Sequence, residues 1–341
     1  MPDRGRQPTM ADVALRARVS HQTVSRVINE MAGVRPATEQ RVRAAIEELG
    51  YRRNLSARLL ASRRSGLIGV VVWASGQFGP QQTLLAVDLA AGAAGFDLVV
   101  RTVHEITEEA IRVRLHELLQ HGVEAVLVLV PHETAVRVAG SERLDVPVVV
   151  LEGGGRTDTS CVTIDNEEGA RLATRHLLEL GHETVVHVAG PTDWTESGAR
   201  VRGWREELLA QGRPVPPLRW AGDWSARSGH AAGRALAREP DVTAVFAAND
   251  QMALGLVAAL ADAGRSVPGD VSVVGFDDLP EAPFFQPPLT TVRQDFGELG
   301  RRAVAMVTEL VHGSEPSVFR PVPTSLVVRA STAPRRAVPA G

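Results

Sequence analysis

Residues 9–65 read TMADVALRARVSHQTVSRVINEMAGVRPATEQRVRAAIEELGYRRNLSARLLASRRS, and their apolar spacing decides how the chain begins. Thr9-Met10-Ala11-Asp12 has the form of a capping box, in which the first and fourth residues satisfy each other's backbone N–H groups at a helix start. Met10, Val13, Ala14 and Ala17 follow at helical spacing. Ser20 is suited to cap a second helix over residues 21–29, with Val24, Val27 and Ile28 on its inner face. A third helix is predicted over residues 36–49, with Val42, Ala45, Ile46 and Leu49 inward and Gly50 as the stop. Two short helices joined by a tight turn, with a third packed on both, form the helix-turn-helix plan. The stretch 54–64 is a short basic helical segment, too short to be stable alone, and reads as a hinge.

Charge sets this head apart. The chain has 341 residues and a net charge of −3, yet residues 1–65 carry thirteen arginines against six acids. The head is thus +7 and the remainder −10. A basic head on an acidic body suggests a polyanion partner for the head, or else a basic solvated face. Every basic residue is Arg, whose planar fork suits phosphate.

The length suits two or three domains. No apolar run is long enough to span a bilayer, and the first ten residues lack the apolar core of a signal peptide. The single cysteine, Cys161, stands beside Val162 and reads as a buried thiol; it offers neither an intrachain disulfide nor a zinc cluster. These features point to the cytoplasm.

From residue 67 the pattern changes. Apolar runs at 67–73, 98–103, 125–130, 146–151, 184–189, 244–248 and 271–276 alternate with helical stretches. Continuous Val-rich runs indicate strands buried on both faces of a parallel sheet, and repeated strand–helix units imply doubly wound α/β layers. The strands are too many for one compact sheet, so two lobes are expected. Ligands in such folds bind outside the carboxyl ends of the strands, which would face one cleft.

The head closely resembles the LacI/GalR family of repressors. The shared pattern is T-x-x-D-V-A, V-S-x-x-T-V-S-R-V-x-N, A-T-x-x-R-V, L-G-Y and N-x-x-A-R-x-L. The resemblance implies a repressor that binds pseudo-palindromic double-stranded operator DNA as a homodimer. It implies that the second helix enters the major groove, with His21, Gln22 and Arg26 at base edges. The chemistry agrees, since Gln pairs with adenine and Arg with guanine. Thr23, Ser25, Asn29 and Thr38 are expected to join the DNA contacts, the first three being small polar groups suited to phosphate; Ser25 reads equally as helix packing. Arg35 stands where the family has a capping Ser. It cannot accept a bond from the helix N–H groups, and a phosphate contact is expected instead. Ala57 and Arg58 would lie along the minor groove. Leu60 would wedge into it, or else serve as core.

The resemblance continues to about residue 331 in GHETVVHVAGP, ARVRGWREEL, GDWSARSG, AANDQMALG, DVSVVGFDD and PPLTTVRQDF. It implies a periplasmic-binding-protein-like body whose two lobes are linked by three crossovers, and a small effector, a sugar or glycoside. A sugar site needs planar polar groups and aromatic faces. Arg200, Asn249 and Asp277 would bind hydroxyls, while Trp224 and Phe296 would form walls. Asn249 reads also as a helix cap, Arg200 as a partner of Glu196, and Trp224 and Trp194 as core. Gln77 and Glu152 complete the expected set, although with Trp73 they depart from the family pattern on the aglycone side. Asp165 and Asp278 read as caps or turns, and His182 and His187 as structural.

The expected boundaries are 1–53 for the head and 54–65 for the hinge. The body spans 66–332, with lobe one at about 66–163 and 294–323 and lobe two at about 164–293 and 324–332. A disordered tail is expected over 333–341; it has no heptads, so a dimer is expected rather than a tetramer. Gly153-Gly154-Gly155 lacks the order of a phosphate-binding motif, and no nucleophile elbow or zinc-protease motif occurs. A transport binding protein would not carry this head. A sugar-modifying enzyme would need a catalytic constellation that the sequence lacks. No cofactor is expected. Ligand as inducer is the leading expectation; ligand as co-repressor, purine-type or a sugar phosphate, is the alternative.

Overall fold

The computed structural model describes residues 8–28, 33–51, 64–74, 76–151, 160–315 and 320–335. Two compact units emerge, Met1–Ser65 and Gly66–Gly341.

In the first unit, α1 (Met10–Ala17), α2 (His21–Ile28) and α3 (Pro36–Leu49) pack around Val13, Val24 and Val42, all fully buried. The capping box is present: the Thr9 side chain accepts from the Asp12 N–H, and the Asp12 carboxylate accepts from the Thr9 N–H at 2.7 Å. Arg18 ends α1 at φ 53°, a left-handed conformation in which a non-glycine residue is strained. It makes the tight turn into α2, which Ser20 opens by accepting from Thr23 N at 3.2 Å. At α3, Arg35 is the N-cap and makes no side-chain cap bond, as its chemistry requires. Gly50 closes α3 at φ 61°.

The second unit holds two sheets. In lobe one, β1 (Leu67–Trp73), β2 (Asp97–Val103), β3 (Ala125–Leu129), β4 (Val148–Leu151) and β5 (Cys161–Val162) run parallel in the order β2-β1-β3-β4-β5. Helices α4 (Phe78–Ala93), α5 (Glu108–Gln120) and α6 (Glu133–Ser141) connect the first four of these strands. In lobe two, β6 (Val186–Ala189), β7 (Trp220–Ala221), β8 (Ala244–Ala247), β9 (Ser272–Asp277), β10 (Thr290–Arg293) and β11 (Ser325–Val327) take the order β11-β10-β9-β8-β6-β7. Only the β10–β11 pair is antiparallel among the described strands. Helices α7 (Asn166–Glu179) and α8 (Thr195–Ala210) pack on one another, as do α9 (Ala226–Leu236) and α10 (Asp250–Asp262). The second pair approaches so closely that a Cβ on Gly255 would lie 1.8 Å from the Ala226 carbonyl oxygen.

Helix α11 (Phe296–Val311) follows β10 of lobe two yet packs on α4 of lobe one. The chain therefore crosses between lobes after β5, after β10 and again before β11. Ile164 and Val322 bridge two of these crossings.

Two sequence expectations need correction. Cys161 is half-buried rather than buried, because it begins a two-residue edge strand. The tail does not start at residue 333. Ala333 N donates to Ser272 Oγ at 3.1 Å, and Arg335 N donates to the Leu180 carbonyl at 2.9 Å. Buried His182 bonds both Thr243 and Ser272 in the same corner, so these last residues close a polar seam of lobe two.

Candidate nucleic-acid interface and effector cleft

In the head, helical spacing puts Val24 and Val27 of α2 inward and leaves His21, Gln22 and Arg26 exposed. Thr23 and Ser25 are half-buried on the same helix, and the Thr23 hydroxyl bonds Ser20 Oγ at 2.9 Å. Thr38 is half-buried in the first turn of α3. Charge is distributed unevenly. Arg16 pairs with Glu48 at 2.6 Å and Arg43 with Glu39 at 2.7 Å. Arg18, Arg26, Arg35 and Arg41 are exposed, and their side chains have no ion pair or hydrogen bond among the described residues. Asn29, Ala57, Arg58 and Leu60 lie outside the described residues.

In the body, the carboxyl ends of both sheets face a cleft with about 600 Å³ of empty space, its open mouth included. Six of the seven expected effector residues line it: Gln77, Arg200, Trp224, Asn249, Asp277 and Phe296. Glu152 lies outside the described residues.

Asp277 is the last residue of β9 and sits at φ 110°. Strained residues of this kind persist where the surroundings over-determine them, and they gather at functional sites. Here the surroundings are explicit. Asp250 is fully buried and accepts from Leu279 N at 2.8 Å and from the Thr291 hydroxyl. That anchor fixes the turn carrying Asp277 and Asp278. Gly275 permits it, since a Cβ there would lie 2.2 Å from Asp250 Oδ1. Burial raises the Asp250 carboxyl well above the usual carboxylate range, and the nearby Asp277 charge adds to it. Burial also raises Asp277, to about 6, against the opposing pull of Arg200 and Gln294.

Arg200 projects from α8 and is 4% exposed. Its Nε donates to Asn166 Oδ1 at 2.9 Å, Nη1 donates to the Ala248 carbonyl, and Nη2 stands 3.7 Å from Asp277 Oδ1. Its guanidinium also lies 3.8 Å from the centre of the Phe276 ring, a cation–π contact. Asn249 serves two ends at once. Its Oδ1 caps α10 by accepting from Met252 N at 2.8 Å, and its Nδ2 donates to the Trp224 carbonyl at 3.1 Å. An amide has two donors and two acceptor sites, so capping and cleft lining are compatible. That bond helps hold Trp224 at φ 70°. Gly190 makes room, since its Cβ would meet the Trp224 ring at 2.3 Å. The Trp224 Nε1–H is buried without a partner among the described residues, a cost that an acceptor on a bound ligand would relieve.

Residues outside the expected effector set also form the walls. Gln294 follows β10 and donates to Asp277 Oδ1 at 2.7 Å. Phe78 meets Phe296 edge-on at 5.9 Å. Trp194 and Glu196, at the start of α8, also line the cleft. Asp165 caps α7, while Asp278 accepts from Arg293 and Arg329. His187 is structural: it stacks on Phe246, and burial pushes its pKa down to about 4. No group of His, Cys, Asp and Glu suited to a metal occurs among the described residues, nor does a helix long and apolar enough to cross a membrane.

The pattern for bacterial regulatory proteins of the lacI family matches residues 9–54, and that for a periplasmic binding protein-like domain matches residues 174–332. The lactose operon repressor of Escherichia coli (strain K12) is 36% identical, covering 95% of this chain and 90% of that protein. The chain belongs to the lacI family. Among solved structures of this lacI-family group, the lac repressor dimer bound to operator and the anti-inducer ONPF matches with a TM-score of 0.85 at 35% identity, over 96% of this chain and 100% of that one. A complex of the transcriptional regulator CelR with cellobiose matches with a TM-score of 0.70 at 35% identity, over 95% and 99% of the two chains.

Proposed function

We propose that this chain is a sequence-specific DNA-binding repressor of carbohydrate-utilisation genes that releases its operator when a neutral sugar occupies the cleft. The observation that carries the sugar reading is the state of Arg200. It is the one cationic side chain lining the cleft among the described residues, and it already serves Asn166, Ala248 and Asp277. Little positive charge is left over for the phosphate of a sugar phosphate. Asp277, Asn249, Gln294 and Gln77 instead offer acceptors and amides to hydroxyls, between apolar rings at Trp224 and Phe296. The cellobiose-bound regulator makes cellobiose the first probe.

In the head, His21, Gln22 and Arg26 read base edges, while Thr23, Ser25, Thr38 and Arg35 hold phosphates. The four unpaired arginines support this, because charges free of protein partners are available to displace condensed counterions from DNA. The chain acts as a homodimer in the cytoplasm. Leu85 and Leu89, one helical turn apart on α4, are 51% and 67% exposed, and Phe284 of lobe two is 82% exposed. Such apolar surface fits a partner subunit. A head over 1–53, a hinge over 54–65 and a body from 66 belong to this reading, with the tail shortened as described above.

The test is operator selection from genomic fragments, then gel shifts with cellobiose, lactose, glucose, sugar phosphates and purines. Release by a neutral sugar is expected. Tightening by a purine or a sugar phosphate would replace induction by co-repression.

A further inference from the structure

Near Trp194 the cleft carries a second grouping of the kind that binds a sugar ring. Trp194 opens α8, is buried, and makes no side-chain cap bond. Its ring meets Trp73 of lobe one edge-on at 4.9 Å and Trp224 of lobe two at 5.9 Å. The backbone beside it is fixed to lobe one. Glu133 N donates to the Asp193 carbonyl at 3.2 Å, and Thr195 N donates to the Pro131 carbonyl at 3.2 Å. His132 Nε2 and Asp193 Oδ2 lie 2.9 Å apart. The Trp194 ring is therefore held in place rather than draped over the opening.

Two residues on, Glu196 is half-buried and lines the same cleft. An aromatic ring takes the C–H face of a sugar, and a carboxylate accepts from its hydroxyls. Trp224 with Asp277 forms one such pair, and Trp194 with Glu196 forms another. Two ring-and-acceptor pairs in one cleft match the two rings of a disaccharide.

Resting on the sugar reading of the cleft, we propose that Trp194 and Glu196 form a second sugar subsite, so that the effector is a neutral disaccharide with one ring at Asp277 and the other at Trp194. Lobe two then supplies both platforms, and lobe one backs the second through Trp73.

The full-length protein is titrated calorimetrically with cellobiose and with glucose, as wild type, Trp194→Ala and Glu196→Gln. Wild type is expected to bind cellobiose at least tenfold tighter than glucose. Each substitution should bring that ratio close to one, with operator binding intact in gel shifts as the sign of a folded chain. Should Trp194→Ala fail to bind operator, Glu196→Gln and Trp194→Phe, which keeps a smaller ring, carry the test. A ratio that survives in the folded variants overturns the second subsite while leaving the sugar reading in place. A wild type that prefers glucose does the same. A wild type that binds no neutral saccharide overturns both.

Discussion

In the head, Arg18, Arg26, Arg35 and Arg41 stand in solvent without a protein partner, whereas in the body Arg200 is buried and held by three. The same side chain thus works in two regimes. An exposed guanidinium costs little to leave unpaired and exchanges water and counterions for a phosphate when DNA arrives. A buried one must be paired, so its worth lies in shape: it fixes Asp277 and the walls before any ligand comes. Strain follows the same division. Trp224, Asp277 and Asp278 all adopt positive φ around the cleft, held there by Asn249, Asp250 and Gly190. The head has one such residue among those described, Arg18. Binding at the head is therefore expected to depend on salt, and binding in the cleft on geometry and protonation.

The largest expected effects are a mirrored pair. Asp277→Asn removes a charged acceptor and should weaken sugar binding about 10–100-fold while operator affinity without sugar is unchanged. Arg26→Ala should cost about 1–3 kcal/mol of discrimination at one base pair and leave calorimetric sugar binding untouched. Loss of both activities in either variant would break the division between the regions.

Acid should sharpen it. Asp277 is raised to about 6 by burial, and sugar hydroxyls donate to the ionised form. Sugar affinity should therefore fall roughly tenfold from pH 7 to pH 5, since about one carboxyl in ten stays ionised one unit below its pKa. Stability moves the other way. Between about pH 4 and 6 the folded chain holds a proton that the unfolded chain releases, so the contribution of Asp277 grows as pH falls through that window. Thermal melts of wild type and Asp277→Asn measure the difference. A pH-independent sugar affinity would contradict an ionised Asp277 as ligand.

The smallest effect lies in the head. Arg35→Ser restores an N-cap and should raise the head's stability by about 0.5–2 kcal/mol. If Arg35 holds a phosphate, the same change lowers the slope of log affinity against log salt by about one. A stabilised head with an unaltered slope would remove Arg35 from the interface.

Much of this was legible in sequence for a physical reason. The head helices carry their caps and inward apolar residues within a few positions of one another, and the long Val-rich runs announce buried parallel strands. Asp277 and Asn249 could be located because they follow such runs. Strands β5, β7 and β11 have two or three residues, too few to show a period, and β10, Thr290–Arg293, has only one apolar side chain, Val292. Gln294 was lost with β10, although it bonds Asp277 directly. Trp194 was ambiguous because its neighbours Trp73 and Trp224 are distant in sequence and meet it only when both lobes have folded. The Asn249 amide, readable as a cap or as a ligand, is a cap that also faces the cleft.

The central claim is that the two regions are coupled, and linkage makes that measurable. If sugar lowers operator affinity by some factor, operator must lower sugar affinity by the same factor. Cellobiose affinity is measured with and without saturating operator, beside operator affinity with and without saturating cellobiose. The account predicts two equal factors, both weakening. Factors of one would show that the cleft does not govern the head, and mutual strengthening would show that the ligand is a co-repressor.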